Sequence, residues 1–179
     1  QSGKPGLIRA TSYDNYTGAG WIVGDRKESR TNGHELATGE GGTDYQKRAV
    51  TILRVTVSDG NSTLVTQGTP LGSNVGTTVD SDKFFPGDIV QLRSRRGLEE
   101  SDTYNTFGSE SVATADDLKG AGSTYPDWIK DQYLELPKSL PDRVRAESTR
   151  VAAGATTPYD QAIAIEAYLR DFPYDLAVE

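Results

Sequence analysis

The chain has 179 residues, 35% of them hydrophobic, which is enough for one domain or one domain plus part of another. A formal charge of -7 and a pI near 4.8, without a basic stripe, argue against nucleic acid as a partner. With no Cys, these residues can form no disulfide, thiolate metal site or cysteine nucleophile, and no run approaches the roughly 20 apolar residues that cross a bilayer.

The chain opens QSGKPG without a methionine, shows no signal peptide, and is expected to be a segment excised from a longer protein. Charge divides unevenly. Residues 1–97 carry 12 basic and 10 acidic side chains, about +2, and residues 98–179 carry 7 and 16, about -9. A solvated acidic surface explains the second half, and the split marks a change of character near Gly97.

Residues 1–115 read as β-structure. LIRATSY and GWIV are short strands around the turn DNYTGAG. The polar, glycine-rich segment from Arg26 to Gln46 reads as a long mobile loop. KRAVTILRVTV, Lys47 to Val57, is the clearest strand, with Thr51, Leu53, Val55 and Val57 on one face and Val50, Ile52, Arg54 and Thr56 on the other. SDGNS then predicts a hairpin returning through STLVTQ. A turn at Pro86-Gly87 precedes a strand over 88–94, and DTYNTFGSESVA continues the β-pattern. Short strands punctuated by Gly and Asp predict an antiparallel sandwich or barrel-like domain.

Residues 116–179 read as helical. Trp128, Ile129, Tyr133 and Leu134 fit one side of a short helix. Ser139 before Asp142, and Thr157 before Asp160, each place a hydroxyl three residues ahead of a carboxylate, a shortened capping box with Pro in the first turn. The first helix is predicted to run to about Ala153, with Leu140, Val144 and Val151 on one face and Gly154 as its terminator. The second runs from Pro158 to about Asp171. Ala162, Ile165, Leu169 and Phe172 form its apolar stripe, and Glu166 can pair with Arg170 for about 0.3 kcal/mol.

Few residues suggest chemistry. His34, the only histidine, sits in a hydrophilic loop with no nucleophile to serve and no second ligand for zinc. Asp116-Asp117 and Glu99-Glu100 read as surface charge rather than a glycosidase pair. Asp80-Ser-Asp82 resembles the start of a calcium loop without its glycine and terminal glutamate. No phosphate-binding glycine motif is present. Asn15 and Asn61 match the N-glycosylation pattern. Tyr13, Tyr16 and Trp21 suit either packing into the sandwich, the preferred reading, or a carbohydrate-binding surface. No catalytic, cofactor-binding or metal residue is assigned, and no cofactor is expected.

The order YDNYTGAGW, then YPDWI, YLELP, TPYDQAIAIEAYLR and FPYDL, resembles the bacterial transglutaminase-like membrane proteins, most closely from Tyr125 onward. The resemblance implies an extracytoplasmic region between membrane helices and a reaction of acyl transfer by a Cys, His and Asp. None of the three can be carried onto this chain; the nucleophile is expected beyond Glu179. The implied function is therefore a catalytically silent extracytoplasmic fragment, 1–115 β-rich and 116–179 a helical lead-in, that supports a transglutaminase-like core or presents substrate to it. Its implied partners are that core, the membrane helices of the same parent, and a protein or peptidoglycan substrate. The alternative function is a cell-envelope binding module for glycan or protein.

Overall fold

The computed structural model describes residues 6–33, 47–84 and 87–173. It is α+β, with open antiparallel sheets first and helices last, as the sequence predicts. The chain divides into two compact units, Gln1–Tyr16 with Gly20–Val112, and Thr17–Ala19 with Ala113–Glu179.

The strands are β1 (Ile8–Arg9), β2 (Asn15–Tyr16), β3 (Trp21–Ile22), β4 (Arg26–Thr31), β5 (Arg48–Thr56), β6 (Asn61–Leu64), β7 (Thr66–Gln67), β8 (Thr69–Ser73), β9 (Thr77–Asp82), β10 (Ile89–Leu98) and β11 (Thr103–Ser111). One sheet has the order β4-β9-β10-β6 and another β5-β11-β8; β1 pairs with β7, and β2 with β3. The core joins Leu64, Val79, Ile89, Leu92 and Leu98 to Val57 and Tyr104. Each such side chain contributes on the order of 2 kcal/mol through burial.

In β5 the alternation is as read: Thr51, Leu53 and Val55 turn inward, and Val50, Ile52, Arg54 and Thr56 outward. Between β6 and β7 the chain leaves one sheet and pairs elsewhere, so Val65 has no strand neighbour on the ladder. Side chains of β11 serve it instead. The Val65 N–H donates to the Tyr104 hydroxyl at 3.1 Å, and the Thr106 hydroxyl donates to the Val65 carbonyl at 2.7 Å.

Several expectations are corrected. The SDGNS turn does not close a hairpin: β5 pairs with β11 and β6 with β10, so the turn carries the chain from one sheet to the other. The start of the expected loop at Arg26 is the edge strand β4, paired with β9 over six residues. Its side chains are polar because that edge faces solvent, and polarity alone had suggested a loop. The remainder of that expected loop, 34–46, lies outside the described residues, as does Pro86. LIRATSY does not pair with GWIV; β1 pairs with β7, and the hairpin lies within DNYTGAGWI.

The second unit holds α1 (Ala115–Gly120), α2 (Asp127–Ile129) running into a π-helical turn (Lys130–Leu134), α3 (Asp142–Val151) and α4 (Pro158–Arg170). The π turn brings residues five apart together, placing the Trp128 and Tyr133 rings 6.5 Å apart, edge to face. Thr157 caps α4, its hydroxyl accepting from the Asp160 N–H at 3.1 Å. Ser139 does not cap α3. Pro141 occupies the N-cap position and no side chain bonds the first turn. Among the described residues no helix is long and apolar enough to cross a membrane.

Candidate functional site

Helices α3 and α4 carry no buried residue. Their apolar side chains instead line an open groove of about 540 Å³, with Val144 and Val151 from α3 and Ile165, Tyr168 and Leu169 from α4. The stripe predicted on α4 is thus largely exposed: Leu169 is 59% and Phe172 56% accessible, and Ala162 is exposed too, while Ile165 is half-buried. Only part of the amphipathic face finds cover, although its periodicity is that of a helix with a buried side.

Polar groups border the groove. Arg150 holds Glu147 through two hydrogen bonds, at 2.6 and 2.9 Å, and its guanidinium lies 5.7 Å from the Tyr168 ring centre. Arg150 first, then the Tyr168 hydroxyl, keep the Glu147 carboxyl down at about 2, and the hydrogen bond to Glu147 raises the Tyr168 phenol. Lys119 reaches Asp160 at 3.3 Å, joining α1 to α4. Glu166 and Arg170 pair at 2.6 Å, as expected from their spacing.

A second feature lies in the β-rich unit. The β2–β3 hairpin sets Tyr16 opposite Trp21, with ring centres 5.1 Å apart. Tyr13 is 54% and Trp21 59% accessible, so the preferred reading, in which the three rings pack into the sandwich, is corrected for these two, while Tyr16 is half-buried. The residue buried at this place is Asp14. Its carboxylate accepts two hydrogen bonds from Arg26, at 2.8 and 2.9 Å, and one from the Gly24 N–H at 2.9 Å, closing the base of the hairpin. Arg26 therefore holds the Asp14 carboxyl down at about 2, against the opposing effect of burial.

This ion pair belongs to a larger buried set. Asp82 lies 3.9 Å from Arg26 and accepts from the Phe84 N–H at 2.8 Å. Arg9 donates to the Ser12 hydroxyl at 2.6 Å and the Ile89 carbonyl at 3.0 Å. Burial raises the Asp88 carboxyl, and Arg9 offsets only part of that. Among the described residues, the Nε atoms of Arg9 and Arg26 are buried without a hydrogen-bond partner. Sequence reasoning missed this cluster, whose members are scattered over some eighty residues and resemble turn residues one at a time. The faint signal was an Asp before and a Gly-Asp-Arg after the same aromatic turn.

The other candidates fall elsewhere. His34 lies outside the described residues. Asp80 accepts two hydrogen bonds from Arg93, at 2.8 and 2.9 Å, so a protein cation occupies the direction that a calcium ion would take. Asp117 closes a capping box with Thr114 at the start of α1, a structural duty the sequence reading did not assign. Glu99 and Glu100 are exposed beside the turn into β11, and Asn15 and Asn61 are exposed in strands. Among the described residues no group of three or more His, Cys, Asp or Glu could hold a metal ion. No protein-family description, curated protein or solved structure matches the chain.

Proposed function

We propose that the chain is a non-catalytic, extracytoplasmic part of a transglutaminase-like membrane protein, and that the α3–α4 groove is where the thiol-dependent catalytic body docks. The observation that carries this reading is the absence of any buried residue in two amphipathic helices. Leaving Val144, Leu169 and Phe172 in water forgoes on the order of 1–2 kcal/mol for each, which docking would recover. The resemblance, most specific from Tyr125 onward through TPYDQAIAIEAYLR and FPYDL, supports a transglutaminase-like identity for that body.

The test is activity across two lengths of the parent. The chain ending at Glu179 should release no ammonia from glutamine peptides and cross-link no amines. A version continuing through the parent reading frame should do one or the other and lose it on thiol alkylation. A parent frame with no downstream Cys would end the proposal.

A second reading is favoured by the exposed Tyr13 and Trp21 on a hairpin whose base is fixed by Asp14 and Arg26: a glycan- or protein-binding surface of the cell envelope. Trp21→Ala and Tyr16→Ala should then abolish peptidoglycan binding without changing the melting temperature. A lowered melting temperature with no binding in the parent chain would return the rings to a packing role.

A further inference from the structure

We propose that β5 is the pairing edge of a symmetric dimer, in which a second copy of this chain adds its own β5 antiparallel to the first across a two-fold axis at Ile52. β5 is joined to β11 by nine successive register pairs without a bulge, and among the described residues no strand lies on its other side. The direction of its backbone follows from the ends of the ladder. The Lys47 carbonyl accepts from the Val112 N–H at 2.8 Å, and Val57 donates to the Asp102 carbonyl at 2.9 Å. Odd-numbered residues therefore face β11, and the alternation turns the N–H and C=O of Val50, Ile52, Arg54 and Thr56 toward the outer edge.

The other sheet edges are blunted in the ways that protect proteins from edge pairing. β4 reads RKESRT, β6 has four residues and an irregular register, and β8 carries Pro70 and a shift in its pairing. β5 has no proline, no bulge and no inward charge. Its outward face is apolar at its centre, with Val50 65% and Ile52 66% accessible.

The strand pairs with itself over its full length in one register, while the Arg48 guanidinium stays on Ser109 and Thr69 of its own sheet. Ile52 is the midpoint of Arg48–Thr56, so an axis there pairs all nine residues with those of the second copy. Val50 then opposes Arg54, and Arg48 opposes Thr56, with no like charges facing. Placing Val50 opposite Ile52, or Ile52 opposite Arg54, leaves two residues at one end of the strand unpaired, and an axis at Val50 pairs only the first part of the strand. The product is a continuous six-stranded sheet, β8-β11-β5 followed by its symmetry mate.

Light scattering on the whole chain over a concentration series should give a dimer that dissociates on dilution. Ile52→Lys should weaken it by about tenfold or more, because it sets two cations face to face at the axis. Leu169→Lys, in the α4 groove, should leave it unchanged. A second measurement fixes the register without burdening the fold. In this cysteine-free chain, a nitroxide on Ile52→Cys should show strong inter-label broadening, whereas labels on Thr56→Cys, about 27 Å apart across the axis, should show none. A monomer at every concentration, a dimer lost with Leu169→Lys rather than Ile52→Lys, or broadening stronger at 56 than at 52 would each overturn the proposal.

Discussion

Replacing Asp14 by Asn tests whether the hairpin base is held by charge or by shape. Asparagine keeps the size of the side chain and an oxygen for the Gly24 N–H, and removes only the negative charge that faces Arg26. A carboxyl held at about 2, against an ordinary value of 3.8, contributes about 2.5 kcal/mol at neutral pH. The variant also leaves the Arg26 guanidinium, whose side chain is 15% accessible, with Asp82 at 3.9 Å as the carboxylate nearest to hand. Breaking such a pair is costly because the remaining ion stays desolvated, so the expected loss is about 2–4 kcal/mol. The assay is urea unfolding of parent and variant at pH 7 and at a series of lower pH values. The sign follows from the depressed carboxyl. The contribution is complete above the unfolded-state value near 3.8 and is lost as pH falls through about 2, so the gap between the two proteins should hold to about pH 4 and narrow below it. It should change little in high salt, since the pair is shielded from solvent. A gap under about 0.5 kcal/mol at pH 7, or one that widens on acidification, would refute the assignment of stability to this charge pair.

Two further outcomes follow from the same β-rich unit. Tyr104→Phe removes the acceptor for the Val65 N–H and should destabilise the fold by about 1–2 kcal/mol, read as a lower urea midpoint with an unchanged slope. Asp88→Asn acts with the opposite pH sign to Asp14: its carboxyl is raised by burial, so its charged form weakens the fold as pH climbs through the folded-state value, and the variant should be at least as stable as the parent at pH 7, with the difference fading in acid.

What could be read from sequence tracks the physics that writes a periodic signal. β5 and β11 are long and alternate, and their existence follows from that alternation. β10 is predicted over 88–94 and runs from Ile89 to Leu98, with Ile89 and Val90 both buried where its register with β9 shifts. Alternation states which way a side chain points and is silent on which strand lies alongside. The nearest turn therefore suggested β6 as the neighbour of β5, where the fold uses β11, nearly fifty residues on. β4 left no apolar signature, because it is an edge held by its backbone ladder and by charges such as Glu28, which meets Arg93 at 3.1 Å. Buried charge is the hardest to read. Asp14 and Asp82 become interior residues only once Arg26 and the turn amides are brought to them, and nothing local marks them apart from solvated aspartates.

The helices present the reverse case, in which the local signal was read and the apolar face it predicts is left largely uncovered. Thr157, Pro158 and Asp160 fix where α4 begins, and the stripe through Ile165 and Leu169 fixes its apolar side. Yet α3 and α4, each amphipathic, leave that side around an open groove rather than closing it. Intrinsic propensity does not account for such a pattern, since an isolated helix of this length gains little from an apolar stripe and draws most of its stability from packing. Ion pairs on the two helices do not replace it: Glu147 with Arg150 and Glu166 with Arg170 are solvent-exposed pairs within single helices, and exposed pairs of this kind add a few tenths of a kcal/mol at most. The docking surface proposed above would account for the periodicity, and the groove's chemistry sets what such a surface would have to offer: apolar groups opposite Val144 and Leu169, and polar groups where it meets Glu147, Arg150 and Tyr168.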